Sequence, residues 1–349
     1  MKRKSTMAEV AKLAGVSASV VSYVLNGRAA EMRIPSATQV RVMEACRELD
    51  YRRDYLASAM AGKRTKVIGV LFCNSRGDFM SDILSGIYDV LRENDHQVAL
   101  TIVDDNVNIE RADLESLMHR RVDGIVAFPI WEKRPSDYWR KAVDSGIPVM
   151  FLNIVPNGVN AASIDIDNFQ GGREAARLAV QNGCEEAVMY ECTSGTPGLV
   201  ERDAGFAHEI RQLGIPLRRI PMSATGEALA ECLASAEKVT GFFVSRASEF
   251  VPPLRRLVER GVEFDSRHVF ATIGSAPEAH FISNPWFMLP HPARQMGRLA
   301  AAKLLESIRN ENSPIEKIVL PHHWTTNAAA RELLAGDVPI TEERQTRSL

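Results

Sequence analysis

Thr6-Met7-Ala8-Glu9-Val10-Ala11-Lys12-Leu13-Ala14-Gly15-Val16-Ser17, continued by Ala18-Ser19-Val20-Val21-Ser22-Tyr23-Val24-Leu25-Asn26-Gly27, holds the two segments on which the reading of the whole chain turns. Thr6 and Glu9 have capping-box spacing: the threonine oxygen accepts the Glu9 N–H while the glutamate reaches back. Met7, Val10, Ala11 and Ala14 then recur at helical spacing. Gly15 ends that helix, because glycine tolerates the left-handed backbone of a C-terminal cap. Ser17 is an N-cap for a second helix, which runs through Val20, Val21, Val24 and Leu25 and stops at Asn26-Gly27. Two short helices around a glycine turn, with small Ala11 near the crossing, predict a helix-turn-helix. A third amphipathic helix follows Ser36 and Thr38 through Val40, Val42, Met43, Cys46 and Leu49.

Charge points the same way. Residues 1–64 hold twelve Lys/Arg against six Asp/Glu, the rest thirty against thirty-eight, and the 349-residue chain carries −2 overall. A basic end on an acidic body suits a polyanion partner for that end alone; on charge alone, a solvated basic tail serves equally well. A composition of 45% apolar and 25% charged residues is that of a soluble globular protein, long enough for two or three domains. No run of about 18 apolar residues exists, so no membrane span is expected. Glu9 and Lys12 interrupt any apolar segment after Lys2-Arg3-Lys4, so a secretory signal is not expected. The five cysteines (Cys46, Cys73, Cys184, Cys192, Cys232) are odd in number and scattered, which argues against a disulfide framework or a zinc site and for a reducing cytoplasm.

The stretch Ala8 to Ser17, then Val21-Ser22-Tyr23-Val24-Leu25-Asn26-Gly27, then Thr38 to Tyr51, resembles the head of the lactose-repressor (LacI/GalR) family. In such heads the second helix enters the major groove with its N-terminal residues at base edges. The resemblance implies base-facing positions for Ala18, Ser19, Ser22 and Tyr23. Ala18 suits a thymine methyl, and Ser19 several bases. Tyr23 replaces the arginine common in the family, which removes a bidentate guanine contact at that position. Thr6, Ser17, Asn26 and Thr38 are placed for phosphates, which set register without reading sequence. The loop Arg28 to Ile34 is longer than in the lactose repressor, and its Arg28 and Arg33 either add backbone contacts or are solvated. Residues 54–65 correspond to the family's hinge helix, ordered when two copies pair in the minor groove and wedge apolar side chains into a base step. Ala57 and Met60 belong to that segment, with Met60 at the wedge position. The proline of the family's hinge entry is absent from Tyr51-Arg52-Arg53-Asp54, and an unstructured linker is the alternative reading.

From Lys66 the pattern changes to apolar runs separated by helical stretches. Strands are predicted at Val67–Cys73, Val98–Val103, Gly124–Phe128 and Val149–Asn153, with helices near 81–94, 108–121 and 136–145. A second series places strands at Ala187–Glu191, Gly241–Ser245 and Val269–Ile273, with helices near 168–182, 200–213, 226–236 and 250–260. Two successive series of this kind imply two doubly wound parallel sheets, with ligand beyond the strand carboxyl ends. The fold expected is therefore an all-α helix-turn-helix head on an α/β periplasmic-binding-protein-like body.

The family resemblance continues to about residue 336 through Val122-Asp123-Gly124-Ile125, Gly146-Ile147-Pro148-Val149, Asp167-Asn168-x-x-Gly171-Gly172, Arg202-x-x-Gly205-Phe206 and Met296-Gly297. It implies a head over 1–53, a hinge over 54–65, and a body over 66–336. Crossings near 160, 290 and 325 would divide the body into a first lobe of 66–160 and 291–325 and a second of 161–290 and 326–336. The charged tail 337–349 has no leucine heptad, so a homodimer is expected rather than a coiled-coil tetramer. The implied partners are a palindromic double-stranded operator and a small effector held between the lobes. Arg202 corresponds to the family's effector-anchoring arginine, and Phe79 and Phe169 to ring-stacking positions. The acids usual after the strands at 241–245 and 269–273 are replaced by Ser245-Arg246-Ala247 and Gly274-Ser275-Ala276. Arg202 and Arg246, with Ser275 beside them, thus point to an acid- or phosphate-bearing effector; the alternative is that Arg246 pairs with Glu249 and faces away.

No enzyme signature stands out. Gly195-Thr196-Pro197-Gly198 lacks the Lys-Ser/Thr of a phosphate loop. His291, His322 and His323 have no metal spacing and read as surface or capping histidines. No catalytic residue, cofactor or metal is expected. A solute-binding protein and an α/β enzyme are the competing readings.

Overall fold

The computed structural model describes residues 5–25, 27–51, 64–74, 78–134, 136–191, 193, 195–221, 227–259, 261, 264–265, 267–276, 284–310, 313–321 and 324–326. The chain divides into two units, Met1–Thr65 and Lys66–Leu349.

Among its described residues the first unit has three helices: α1 (Met7–Ala14), α2 (Ala18–Leu25) and α3 (Ser36–Glu48). The capping box forms, with Glu9 N donating to Thr6 Oγ1 at 3.3 Å and Thr6 N to Glu9 Oε2 at 2.7 Å. Gly15 sits at φ 65, so the chain turns sharply and α2 leaves α1 at 101°. Val10, Val21 and Val42, one from each helix, are fully buried, and Ala11, Ala14, Ala45 and Cys46 complete the core. Each such valine contributes about 1.5–3 kcal/mol by leaving water.

The second unit contains two six-stranded sheets. The first lobe is built by β1 (Val67–Phe72), α4 (Asp78–Glu93), β2 (Gln97–Ile102), α5 (Val107–His119), β3 (Gly124–Phe128), α6 (Asp137–Asp144), β4 (Val149–Leu152) and β5 (Ala162–Ile166). The second holds α7 (Asn168–Gln181), β6 (Glu186–Glu191), α8 (Pro197–Gln212), β7 (Leu217–Pro221), α9 (Glu227–Ala234), β8 (Thr240–Val244), a 3-10 turn (Ala247–Glu249), α10 (Val251–Glu259), β9 (His268–Ile273) and β10 (Trp286–Leu289). The chain then returns to the first lobe for α11 (Ala293–Arg309) and β11 (Lys317–Leu320), and ends its described part in the second with β12 (Thr325–Thr326). The orders are β11-β5-β4-β3-β1-β2 and β12-β10-β9-β8-β6-β7, each a doubly wound arrangement whose order reverses beside its first strand. β12 runs antiparallel to β10; the other described pairs are parallel. Strands covered by helices on both faces are buried along their whole length, as β8 and β9 are.

Glycine sets the closest helix contacts. A Cβ on Gly172 of α7 would run into the Arg202 carbonyl of α8, and one on Gly205 of α8 into the Phe169 carbonyl of α7. The same reciprocal pair recurs in the first lobe, where Gly86 of α4 meets Arg294 and Gly297 of α11 meets Ile83.

One boundary differs from expectation. The first crossing, placed near 160, comes after Ile166, because β5 hydrogen-bonds β4 on one side and β11 on the other within the first sheet. Further crossings follow between β10 and α11, at 290–292, and between β11 and β12.

Candidate DNA-binding head and effector site

In the head, Thr6 is consumed by its cap, also donating to Glu9 Oε2 at 3.1 Å. Ser17 is exposed, and its hydroxyl accepts the Val20 N–H at 3.3 Å. Ala18 and Ser19 are exposed in the first turn of α2, while Ser22 and Tyr23 are half-buried further along it. Thr38 is half-buried near the start of α3, and its hydroxyl accepts from Arg41 at 3.5 Å. Asn26, Ala57 and Met60 lie outside the described residues. The head thus presents a two-residue hydroxyl-and-methyl tip on a short helix braced by two others.

In the body, one cluster joins the lobes. Arg202 is buried in α8; its Nε donates to Asn168 Oδ1 at 2.8 Å and its Nη1 to the Ser245 carbonyl at 2.8 Å. Nη2 lies 3.4 Å from His291 Nε2. His291 belongs to the second crossing, and Phe79 of α4 meets its ring edge-on at 4.8 Å and that of Phe128 at 6.1 Å. A side-chain chain therefore runs from α8 through the crossing to the first residues of α4. Nearby, Asp165 Oδ1 accepts from Asn168 Nδ2 at 3.3 Å. Burial raises the Asp165 pKa to about 6, with Glu201 pushing it the same way and Arg202 opposing.

The loop after β3 is fixed by a buried carboxylate. Glu110 of α5 accepts from Ile130 N at 2.7 Å, Tyr138 OH at 2.9 Å and Trp139 Nε1 at 2.6 Å. Burial raises its pKa against those three donors. Asn157 Nδ2 holds the same loop through the carbonyls of Glu132 and Lys133, and Lys133 reaches the Gly195 turn of the second lobe. Trp131 Nε1, Asn153 Oδ1 and the hydroxyl of fully buried Ser245, all beyond strand carboxyl ends, are buried atoms without a hydrogen-bond partner.

Comparison with known proteins matches this division. The family described as bacterial regulatory proteins, lacI family, matches residues 6–54; periplasmic binding protein domain families match 68–232 and 170–327. The sucrose operon repressor of Streptococcus mutans is 28% identical over 320 residues, 90% of this chain and 96% of that one. The fructose operon regulatory protein of Vibrio cholerae is 28% identical over 212 residues, 60% of this chain and 64% of that one. The lac repressor dimer bound to operator and the anti-inducer ONPF shares the fold, with a TM-score of 0.74 at 20% identity over 94% of this chain and 99% of that one. The head belongs to the lacI family of bacterial regulatory proteins, and the body is made of periplasmic-binding-protein-like domains. The chain is a DNA-binding transcription regulator, and the repressors it resembles are not enzymes.

In this regulator the structure brings Phe79 and Arg202 together through His291. It does not place Phe169 or Arg246 with them. Phe169 is 40% exposed and lies against His208 of α8 at 5.8 Å. Arg246 faces Glu249 across the 3-10 turn at 3.4 Å. Ser275 is exposed beside Gly274, at the end of β9. His291, read from sequence as a surface or capping residue, is half-buried at the junction; its neighbours are too distant in sequence for any spacing to reveal them. Trp131, Asn153 and Glu110 also escaped sequence reading. Only the ends of β3 and β4 hinted at the first two; Glu110, a carboxylate on an ordinary amphipathic helix, gave no signal.

Proposed function

We propose that this regulator acts in the cytoplasm as a repressor, binding a palindromic operator as a homodimer and releasing or gripping it as an effector occupies the junction of the lobes. The head carries the reading: three short helices around one core, with an exposed tip on the second. The two-state element is the body, whose lobes are joined by three crossings and by the Arg202–His291–Phe79 chain. The hinge at 54–65, whose residues 54–63 lie outside the described part, couples the two in this reading. Met60→Gly is expected to weaken operator binding and reduce DNA bending, seen by fluorescence transfer between end labels, with effector affinity unchanged. The primary test is a gel shift with genomic fragments flanking the gene; uniform weak binding to all fragments sinks the regulator reading.

Two effector classes have support. An acid- or phosphate-bearing effector rests on the buried positive charge of Arg202, since Arg246, its second expected support, faces Glu249. A neutral, hydroxyl-rich effector is favoured by the partnerless Trp131 Nε1, Asn153 Oδ1 and Ser245 hydroxyl, which match hydroxyls as donors and acceptors. Calorimetric titration with sugars against their uronic acids and phosphates decides between them. Arg202→Lys lowers affinity selectively for the acids in the first case, and Ser245→Ala for the sugars in the second.

A further inference from the structure

Helix α2 carries no charged side chain; it reads Ala18-Ser19-Val20-Val21-Ser22-Tyr23-Val24-Leu25. Hydroxyls and methyls discriminate among bases weakly, whereas guanine is read best by a planar cation donating to O6 and N7 together. A guanidinium nevertheless stands on this helix. The chain turns after Leu25 and comes back: Arg28 N donates to the Tyr23 carbonyl at 2.9 Å, and Arg28 Cζ lies 5.8 Å from the Tyr23 ring centroid. Arg28 Nε donates to Glu31 Oε2 at 2.8 Å, which holds the side chain in that pose. The turn beneath it is closed by Met32 N to Arg28 O at 3.1 Å and Ile34 N to Ala29 O at 2.8 Å, with Ala29 buried. The backbone is therefore fixed while the guanidinium stays open to solvent, its side chain 55% exposed.

We propose that Arg28, laid on the Tyr23 ring, is the guanine-reading side chain of this head, and that Tyr23 is its platform rather than a reader. The inference rests on the DNA-binding reading above. An aromatic face attracts a cation, and a stacked guanidinium fork loses less freedom on binding than a lysine would. Approaching phosphates repel the Glu31 carboxylate, so the fork exchanges it for the two parallel acceptors of a guanine edge. A plain phosphate contact would need the charge but neither the plane nor the platform.

The distinction is testable with full-length protein and duplexes selected from a randomised library. Wild type, Arg28→Lys, Arg28→Ala, Tyr23→Phe, Tyr23→Ala and the double alanine variant are compared on the wild-type consensus and on a scrambled duplex, by fluorescence anisotropy at one salt concentration. The expected wild-type consensus has a G·C pair in each half-site, whose preference collapses in Arg28→Lys, Arg28→Ala and Tyr23→Ala and survives in Tyr23→Phe. The consensus-over-scrambled ratio falls about tenfold in Arg28→Lys, and Arg28→Ala costs little more once Tyr23 is alanine. Arg28→Lys and Tyr23→Phe alter no core residue, so they carry the test if an alanine variant unfolds. Retention of the G·C preference by Arg28→Lys overturns the proposal, as does an equal loss on both duplexes in Arg28→Ala; either makes Arg28 a backbone contact. A wild-type protein that selects no consensus overturns the regulator reading and this proposal with it.

Discussion

Asp165 shows how one half-buried residue ties the junction to pH. Its Oδ1 accepts from the Ile166 N–H at 2.7 Å and from Asn168, the residue that also receives Arg202. Burial dominates those bonds and raises its pKa from 3.8 to about 6. A carboxyl raised in this way keeps, in the folded chain, a proton that the unfolded chain has already released. Its contribution to stability therefore falls as pH climbs from 3.8 to about 6 and is level above that. Asp165→Asn cannot titrate and still accepts through its amide oxygen. Relative to wild type it is expected to gain stability across that window, on the order of 1–3 kcal/mol by neutral pH. Melting temperatures of both proteins between pH 4 and 7 check this, and a constant difference over that range would show that Asp165 is not the group responsible. The same residues show what sequence could and could not deliver about the site. Arg202 and Asn168 sit in short motifs and were legible. Their meeting with His291 and Phe79 was not, because it depends on a crossing between lobes. Arg246 and Glu249 are three residues apart, so their pairing could at least be weighed beforehand.

At the level of elements, the quoted motifs acquire a reason. Gly172, Gly205 and Gly297 are positions where two helices approach until backbone meets backbone. Such contacts cannot yield by rotating a side chain, so overpacking there costs about 1–3 kcal/mol or more. Gly69 of β1 offers the contrast: a Cβ there would meet a Leu117 methyl at 3.0 Å, which can move. Gly172→Ala is expected to lower the urea midpoint clearly more than Gly69→Ala. It should also weaken effector binding, because α7 and α8 carry Asn168 and Arg202. Equal midpoints for the two variants would mean that the helix pair can separate without loss. Elements with local signals were the readable ones: the Thr6–Glu9 cap, the Gly15 stop, and the mostly apolar runs of β1, β8 and β9. β5 was missed because Ser163 and Asp165 break its run, and that omission alone moved the first crossing. β7 was missed because Arg218 and Arg219 are tolerated on an edge strand that faces solvent.

For the whole molecule, a palindromic operator requires two heads, and the first lobe has a surface suited to supply the second. β2 is an edge strand with nothing hydrogen-bonded to its outer side among the described residues. Its Val98 packs into the core beneath α4, while Leu100 and Ile102, on the same face, are 41% and 43% exposed. Tyr88 of α4 adds a third exposed apolar group, 51% accessible. An open apolar edge of this kind invites association, and lone proteins usually blunt it with charge. A second copy meeting it around a two-fold axis would cover both edges at once. The double substitution Leu100→Arg with Ile102→Arg places two like charges at that meeting point while touching little of the core, so folding stability should change by about 0.5 kcal/mol or less per site. Sedimentation velocity should then show monomer where wild type shows dimer. Operator affinity should fall by about a hundredfold or more, because two linked heads gain an effective concentration that one head lacks. Binding to a single half-site, by contrast, should be unchanged, which separates lost pairing from a damaged head. A variant that stays dimeric with wild-type operator affinity would move the interface away from β2.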